Sequence, residues 1–186
     1  MVSLRQTNPA PDEELLRAVA RGDRLALDQL YLAHHRRLAH FLTRVTSRYE
    51  SAEEIINDTF MVVWQRAADF RGASRVSTWI TGIAYRIALK SLRGSDVMRR
   101  TVSSDDAPEA FEEPATAAEL QDWIARGVSQ LPVEQRLTLH LAYQLGHSVD
   151  EIAEITGCPA GTVKARMFHA REKLRRCLPA LGGLAV

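Results

Sequence analysis

The sequence predicts an all-α protein: two small helical domains joined by a flexible acidic linker, the second containing a helix-turn-helix. Three observations predict it. Apolar residues recur every three or four positions from about residue 12 to 92 and resume near residue 119, with no strand-like alternation. Charge is segregated: residues 1–100 carry 16 Lys/Arg against 11 Asp/Glu, residues 101–122 none against 7, and residues 123–186 8 against 5, so a formal net charge of +1 hides a basic, acidic, basic order. Residues 101–120 are aperiodic and rich in Ser, Asp, Glu, Ala and Pro, which cannot bury enough apolar surface to offset ordering. The expected divisions are 1–98, 99–120 and 121–186.

The elements follow in order. Residues 12–22 form a short helix, and Leu27, Leu30, Tyr31, Leu38, Phe41, Leu42 and Val45 mark a longer one. Ser51-Ala52-Glu53-Glu54 reads as a capping box, with Ile56, Phe60, Val63, Ala67 and Phe70 as the buried stripe behind it. "RGASRVS", residues 71–77, breaks the pattern, and a helix from near Ser77 continues to about Leu92. After the linker, Leu120, Trp123, Ile124 and Val128 precede a break at Leu131-Pro132, then Leu137, Leu141 and Tyr143 continue the apolar series. Ser148-Val149-Asp150-Glu151 is a second capping box.

Several classes are excluded. The longest apolar runs, such as 60–64 and 137–143, fall far short of the roughly 18 residues of a membrane span, so no membrane insertion and a cytoplasmic location are expected. Cys158 and Cys177 sit at opposite ends of one predicted helix, about 28 Å apart, too far for a disulfide. The six histidines form no Cys/His ligand spacing, so no metal is expected. "GCPAGTVK" lacks the Gly-Lys-Ser/Thr ending of a phosphate loop, so no nucleotide cofactor is implied, and no catalytic constellation appears.

The positive charge of the C-terminal part gathers on one short helix. Residues 148–177 fit a helix-turn-helix: Ile152, Ala153 and Ile155 on the first helix, Gly157 at its end, and Pro159 where the second begins. At about 100° per residue, Val163, Met167, Ala170, Leu174 and Cys177 fall on one buried line. The opposite face holds Gly161, Ala165, Phe168, His169 and Glu172. Lys164, Arg171 and Arg175 line one flank, and Thr162, Arg166 and Lys173 the other. Two cationic rails beside a small-residue face suit a helix in a major groove, with the rails on phosphates. A solvated or partner-binding face is the other reading of such a helix.

"SVDEIAEITGCPAGTVKARMFHAREKLRR", residues 148–176, resembles the −35-reading helix-turn-helix of bacterial RNA polymerase sigma factors, in particular the extracytoplasmic function (ECF) group. "ESAEEIINDTFMVVWQRAADFRGASRVSTWITGIAYRIALKSLR", residues 50–93, is similar to the segment by which those factors hold polymerase and open the −10 element. Together the resemblance covers about 12–178. It departs from the group in having Ser-Ala-Glu-Glu where Asp-Ala-Glu-Asp is usual, and Asn57-Asp58 where Gln-Glu is usual.

The resemblance implies a sigma initiation factor. It implies core RNA polymerase as a partner, held at the clamp of the largest subunit by Glu54, Asn57, Asp58, Met61 and Gln65. Promoter DNA is the second partner. The −35 element falls to Thr162, Lys164, Ala165, Arg166, Phe168, His169, Arg171 and Arg175, and the −10 element to Arg71, Ser74, Arg75, Ser77, Thr78, Trp79, Arg86, Lys90 and Arg93. The chemistry agrees, since separated strands offer phosphates to cations and base faces to aromatics. Trp79 reads equally well as core packing. The linker is either a nucleic-acid mimic threading the polymerase channel or a solvated spacer, and an anti-sigma factor is the regulator implied. Two rivals stand beside this reading: a dimeric repressor or activator using the helix-turn-helix on a palindrome, and an interaction module that titrates an inhibitor.

Overall fold

The computed structural model describes residues 11–46, 49–100 and 117–177; most of the acidic linker therefore lies outside the described residues. These hold eight α-helices: α1 (Asp12–Ala20), α2 (Arg24–Thr46), α3 (Tyr49–Arg66), α4 (Val76–Arg100), α5 (Ala117–Ser129), α6 (Val133–Tyr143), α7 (Val149–Thr156) and α8 (Ala160–Cys177), with a 3-10 turn, Ala67–Asp69, after α3. The chain divides into two compact units, Met1–Ile87 and Ala88–Val186, with the division inside α4.

In the first unit α1, α2 and α3 pack on one another. Leu16, Leu30, Phe41, Leu42 and Ile56 are fully buried there, and burial of each such side chain contributes roughly 1.5–3 kcal/mol before entropy is counted. Gly22, at φ 88°, ends α1, and the Asp23 carboxylate accepts the backbone N–H groups of Leu25 (2.9 Å) and Ala26 (3.2 Å) to start α2. Two consecutive histidines brace the bundle. His34 Nε2 lies 2.9 Å from Asp12 of α1, and His35 Nε2 lies 3.0 Å from Glu53 of α3. Tyr31 packs edge-on against Phe60 at 5.0 Å; burial, and then the Glu53 charge, push its phenol above the usual tyrosine value.

Two boundaries differ from the sequence expectation. Helix α3 begins at Tyr49, so Ser51 lies in its first turn and is not the N-cap. Helix α4 runs to Arg100, eight residues beyond the end of its apolar stripe at Leu92. Nothing in 93–100 forbids helix: there is no proline, and its one glycine costs only about 1 kcal/mol.

In the second unit α6, α7 and α8 pack together, and α5 lies on α8. Trp123 of α5, 1% exposed, clusters with Cys177 and the half-buried Leu174, while Leu131 and Leu139 cluster with Ala170. Both cysteines are free thiols; Cys177 donates to Gln130 Oε1 at 3.4 Å. Leu120 and Ile124, expected on the apolar stripe of α5, are exposed. Tyr143, expected to continue the stripe of α6, is 67% exposed. It is the last residue of α6, four beyond the buried Leu139, and its exposure marks where the packed part of the helix ends.

Candidate nucleic-acid interface

The turn between α7 and α8 is set by local chemistry. Ser148 caps α7 in a reciprocal box: Glu151 N–H donates to the Ser148 hydroxyl at 3.2 Å, and Ser148 N–H to the Glu151 carboxylate at 2.9 Å. Gly157 ends α7 in the left-handed region at φ 66°, and the Pro159 carbonyl accepts Thr162 N–H (2.8 Å) and Val163 N–H (3.2 Å) to open α8. A Cβ at Gly157 meets nothing within 4 Å, so substitution costs backbone strain alone. Gly157→Ala is expected to destabilise the second unit by roughly 1–2 kcal/mol, read as a lower urea midpoint with unchanged slope.

On α8, Val163, Ala170 and Cys177 are buried, whereas Gly161, Thr162, Lys164, Ala165, Phe168, His169, Arg171 and Arg175 are exposed. Phe168, 59% exposed, sits edge-on to His169 at 5.5 Å. The two predicted cationic flanks differ. Lys164, Arg171 and Arg175 form an open rail; Arg175 pairs with Glu172 at 2.8 Å. The other flank turns inward, because Lys173 donates to the Gln130 carbonyl at 2.7 Å and Arg166 is half-buried, with one guanidinium nitrogen sealed from solvent. Burial raises the pKa of the Glu134 carboxyl in α6, but the Arg93 hydrogen bond, its own backbone and the Arg93 and Arg166 charges outweigh this and hold it below the usual carboxylate value.

A second cationic surface surrounds the loop before α4. Arg71 and Arg75 are exposed and Ser74 and Ser77 half-buried, with Gly72 at φ 70° making the turn. Trp79 is half-buried, with Phe70 edge-on at 5.5 Å, so it is both packed and partly accessible. Thr78, expected among the −10 residues, departs from that expectation: at 2% exposure it belongs to the core. The cause is helical phase, since it shares the buried side with Thr81 and Tyr85. Arg86 and Lys90 are exposed along α4; partial burial, then the like charge of Arg66, lower the Arg86 pKa. Arg93 is also exposed but engaged, its Nε donating to Glu134 at 3.1 Å. Arg17 and Arg21 of α1 line a pocket of about 380 Å³ with Arg71, a juxtaposition no local sequence pattern reports, and Arg17 is paired there with Glu13 at 3.0 Å.

The third surface is on α3. Glu54, Asn57, Asp58, Met61 and Gln65 are all exposed along one side, Met61 by 58%. Asn57 and Met61 border an open groove of about 510 Å³ with Phe60 and Trp64, walled by Leu27, Asp28 and Tyr31 of α2. Among the described residues no cluster of His, Cys, Asp and Glu is arranged to hold a metal, and no helix is long and apolar enough to cross a membrane.

Comparison with known proteins shows the family. Residues 30–97 match the family Sigma-70 region 2, and residues 121–174 match Sigma-70, region 4. The chain is 36% identical over 172 residues to the ECF RNA polymerase sigma factor SigM of Mycobacterium tuberculosis (strain ATCC 25618 / H37Rv), covering 90% of this chain and 84% of the relative. It is 30% identical over 183 residues to the RNA polymerase sigma-H factor of Pseudomonas aeruginosa, covering 91% and 95%. Its fold is similar to that of CnrH, solved in complex with the cytosolic domain of CnrY (TM-score 0.67, 24% identity, covering 91% and 97%). It is also similar to the sigma factor RpoE solved with the anti-sigma factor NepR from Bartonella quintana (TM-score 0.62, 25% identity, covering 82% and 96%). A two-unit helical chain with region 2 before region 4, and end-to-end likeness to ECF factors, belongs to the ECF family of RNA polymerase sigma factors, which direct promoter-specific transcription initiation.

Proposed function

We propose that this chain binds core RNA polymerase through the exposed strip of α3, sets α8 into the major groove of a −35 element, and opens and captures the −10 element with residues 71–93. The observation that carries this reading is α8 itself. Its open rail of Lys164, Arg171 and Arg175 flanks a face of Gly161 and Ala165, so phosphate contacts are paired with space for close approach to base edges. At −10, Arg71, Ser74, Arg75, Ser77, Trp79, Arg86 and Lys90 offer cations, hydroxyls and one partly accessible ring to separated strands. Arg93 joins them on release from Glu134, and Arg166 reaches DNA only by turning outward.

In this reading the chain supplies recognition and no catalysis, works in the cytoplasm where polymerase is, and passes its acidic linker along the polymerase channel toward the RNA exit. Solved relatives carry anti-sigma factors, which supports a regulator of that class here. Separate readers on a tether bind free DNA weakly, and fixing both on polymerase raises their effective concentration.

The test is reconstituted transcription with purified chain and bacterial core polymerase on a genomic promoter library. Transcript starts that require the chain and share two upstream motifs are expected; a folded chain that adds no starts overturns the reading. Asp58→Ala combined with Met61→Ala is expected to weaken core binding by roughly tenfold or more while leaving binding of isolated DNA unchanged. Fluorescence anisotropy of labelled chain titrated with core enzyme reads the first effect, and unaltered core affinity moves the docking surface off α3.

A further inference from the structure

Resting on the reading of α8 as the promoter-reading helix, we propose that Tyr143, at the end of α6, forms with Arg171 a two-part clamp for a single phosphate of the DNA backbone. Tyr143 is 67% exposed, and its phenol oxygen accepts two bonds from one guanidinium, from Arg171 Nε at 3.0 Å and from Nη2. A phenol oxygen accepting on both sides keeps one function, donation of its own proton, and needs an acceptor from outside. The guanidinium has engaged one edge and retains the N–H groups of the other. The pair therefore presents several donors, a positive charge and no acceptor, which is the complement of a phosphodiester oxygen.

Two further features favour this ligand. The two hydrogen bonds to the phenol hold the long Arg171 side chain at Tyr143 before DNA arrives, so less entropy is lost on binding. Arg175 on the same rail is paired with Glu172, whereas Arg171 leans on a neutral phenol and keeps its full charge for the ligand. Because Tyr143 belongs to α6, the phosphate is gripped from two helices. Contact from two elements fixes the orientation of α8 in the groove more firmly than a contact from α8 alone.

The experiment uses the full chain bound to core polymerase and a promoter duplex defined by transcript mapping. Each −35 phosphate in turn is replaced by a neutral methylphosphonate. The wild-type holoenzyme is expected to lose affinity sharply at one position. Tyr143→Phe is expected to bind unmodified promoter roughly three- to tenfold more weakly and to show a reduced penalty at that same position, the remainder coming from Arg171, while responding normally to −35 base changes. Adding Arg171→Ala to Tyr143→Phe is expected to cost less than the two single losses combined. Tyr143→Phe with wild-type affinity overturns the clamp, as does weakened binding with unaltered sensitivity at every phosphate, which makes Tyr143 a brace for Arg171. A wild-type holoenzyme without promoter-dependent binding overturns the reading of α8 itself.

Discussion

Replacing Trp123 with alanine is expected to destabilise the second unit by about 3–5 kcal/mol, a large part of the stability of a domain this size. The indole is 1% exposed and forms, with Cys177 and Leu174, the contact by which α5 lies on α8. Removing it leaves a cavity where α5 meets α8. The first unit holds its own core, from Leu16 through Phe41 to Ile56, and is expected to unfold at its original midpoint. In urea unfolding followed by helical circular dichroism, the part of the signal that belongs to the second unit is therefore expected to be lost at lower urea than in the wild type, and coincident curves for variant and wild type overturn the assignment. Trp123→Phe is expected to cost much less. The indole N–H finds no acceptor among the described residues, so its removal breaks no hydrogen bond. On the proposed roles of α8 and α3, the Trp123→Ala holoenzyme is expected to lose promoter recognition at −35 and to keep core binding.

The second large effect concerns the open rail. The variant Lys164→Ala, Arg171→Ala, Arg175→Ala is expected to bind its promoter, as holoenzyme, on the order of 100-fold more weakly near physiological salt, and the slope of log K against log[salt] becomes shallower by roughly 2–3. The loss falls almost equally on promoters that differ in −35 sequence, because phosphates carry no base information. Stability changes little: all three side chains are exposed, and both the Arg175–Glu172 pair and the Arg171–Tyr143 hydrogen bonds are surface contacts of small net value. Filter binding at several salt concentrations reads both quantities. An unchanged slope moves the phosphate contacts to the inward flank of Arg166 and Lys173.

How much of this was legible beforehand follows from the range of each interaction. The helices, the Ser148 box, the Gly157 stop and the buried line through Val163, Ala170 and Cys177 are local, written in residues at most seven apart at each step, and the sequence determined them by itself. The polar strip of α3 was legible for the same reason, since helical phase alone carries Glu54, Asn57, Asp58, Met61 and Gln65 to one side. The family too was readable from two motifs in order.

What tertiary structure decided is which side chains are already engaged. The flanks of α8 look equivalent on a helical wheel, yet Gln130, forty-three residues before Lys173, takes that amine, and Glu134 draws the charges of Arg93 and Arg166. Ser51 failed as a cap because α3 starts two residues earlier. Tyr143 passed for core until α8, packed across α6, brought Arg171 to its hydroxyl. Periodicity reports the face on which a residue lies. It carries no account of the partner that packing places opposite, because that partner comes from a distant stretch of chain and its effect depends on distance and exposure.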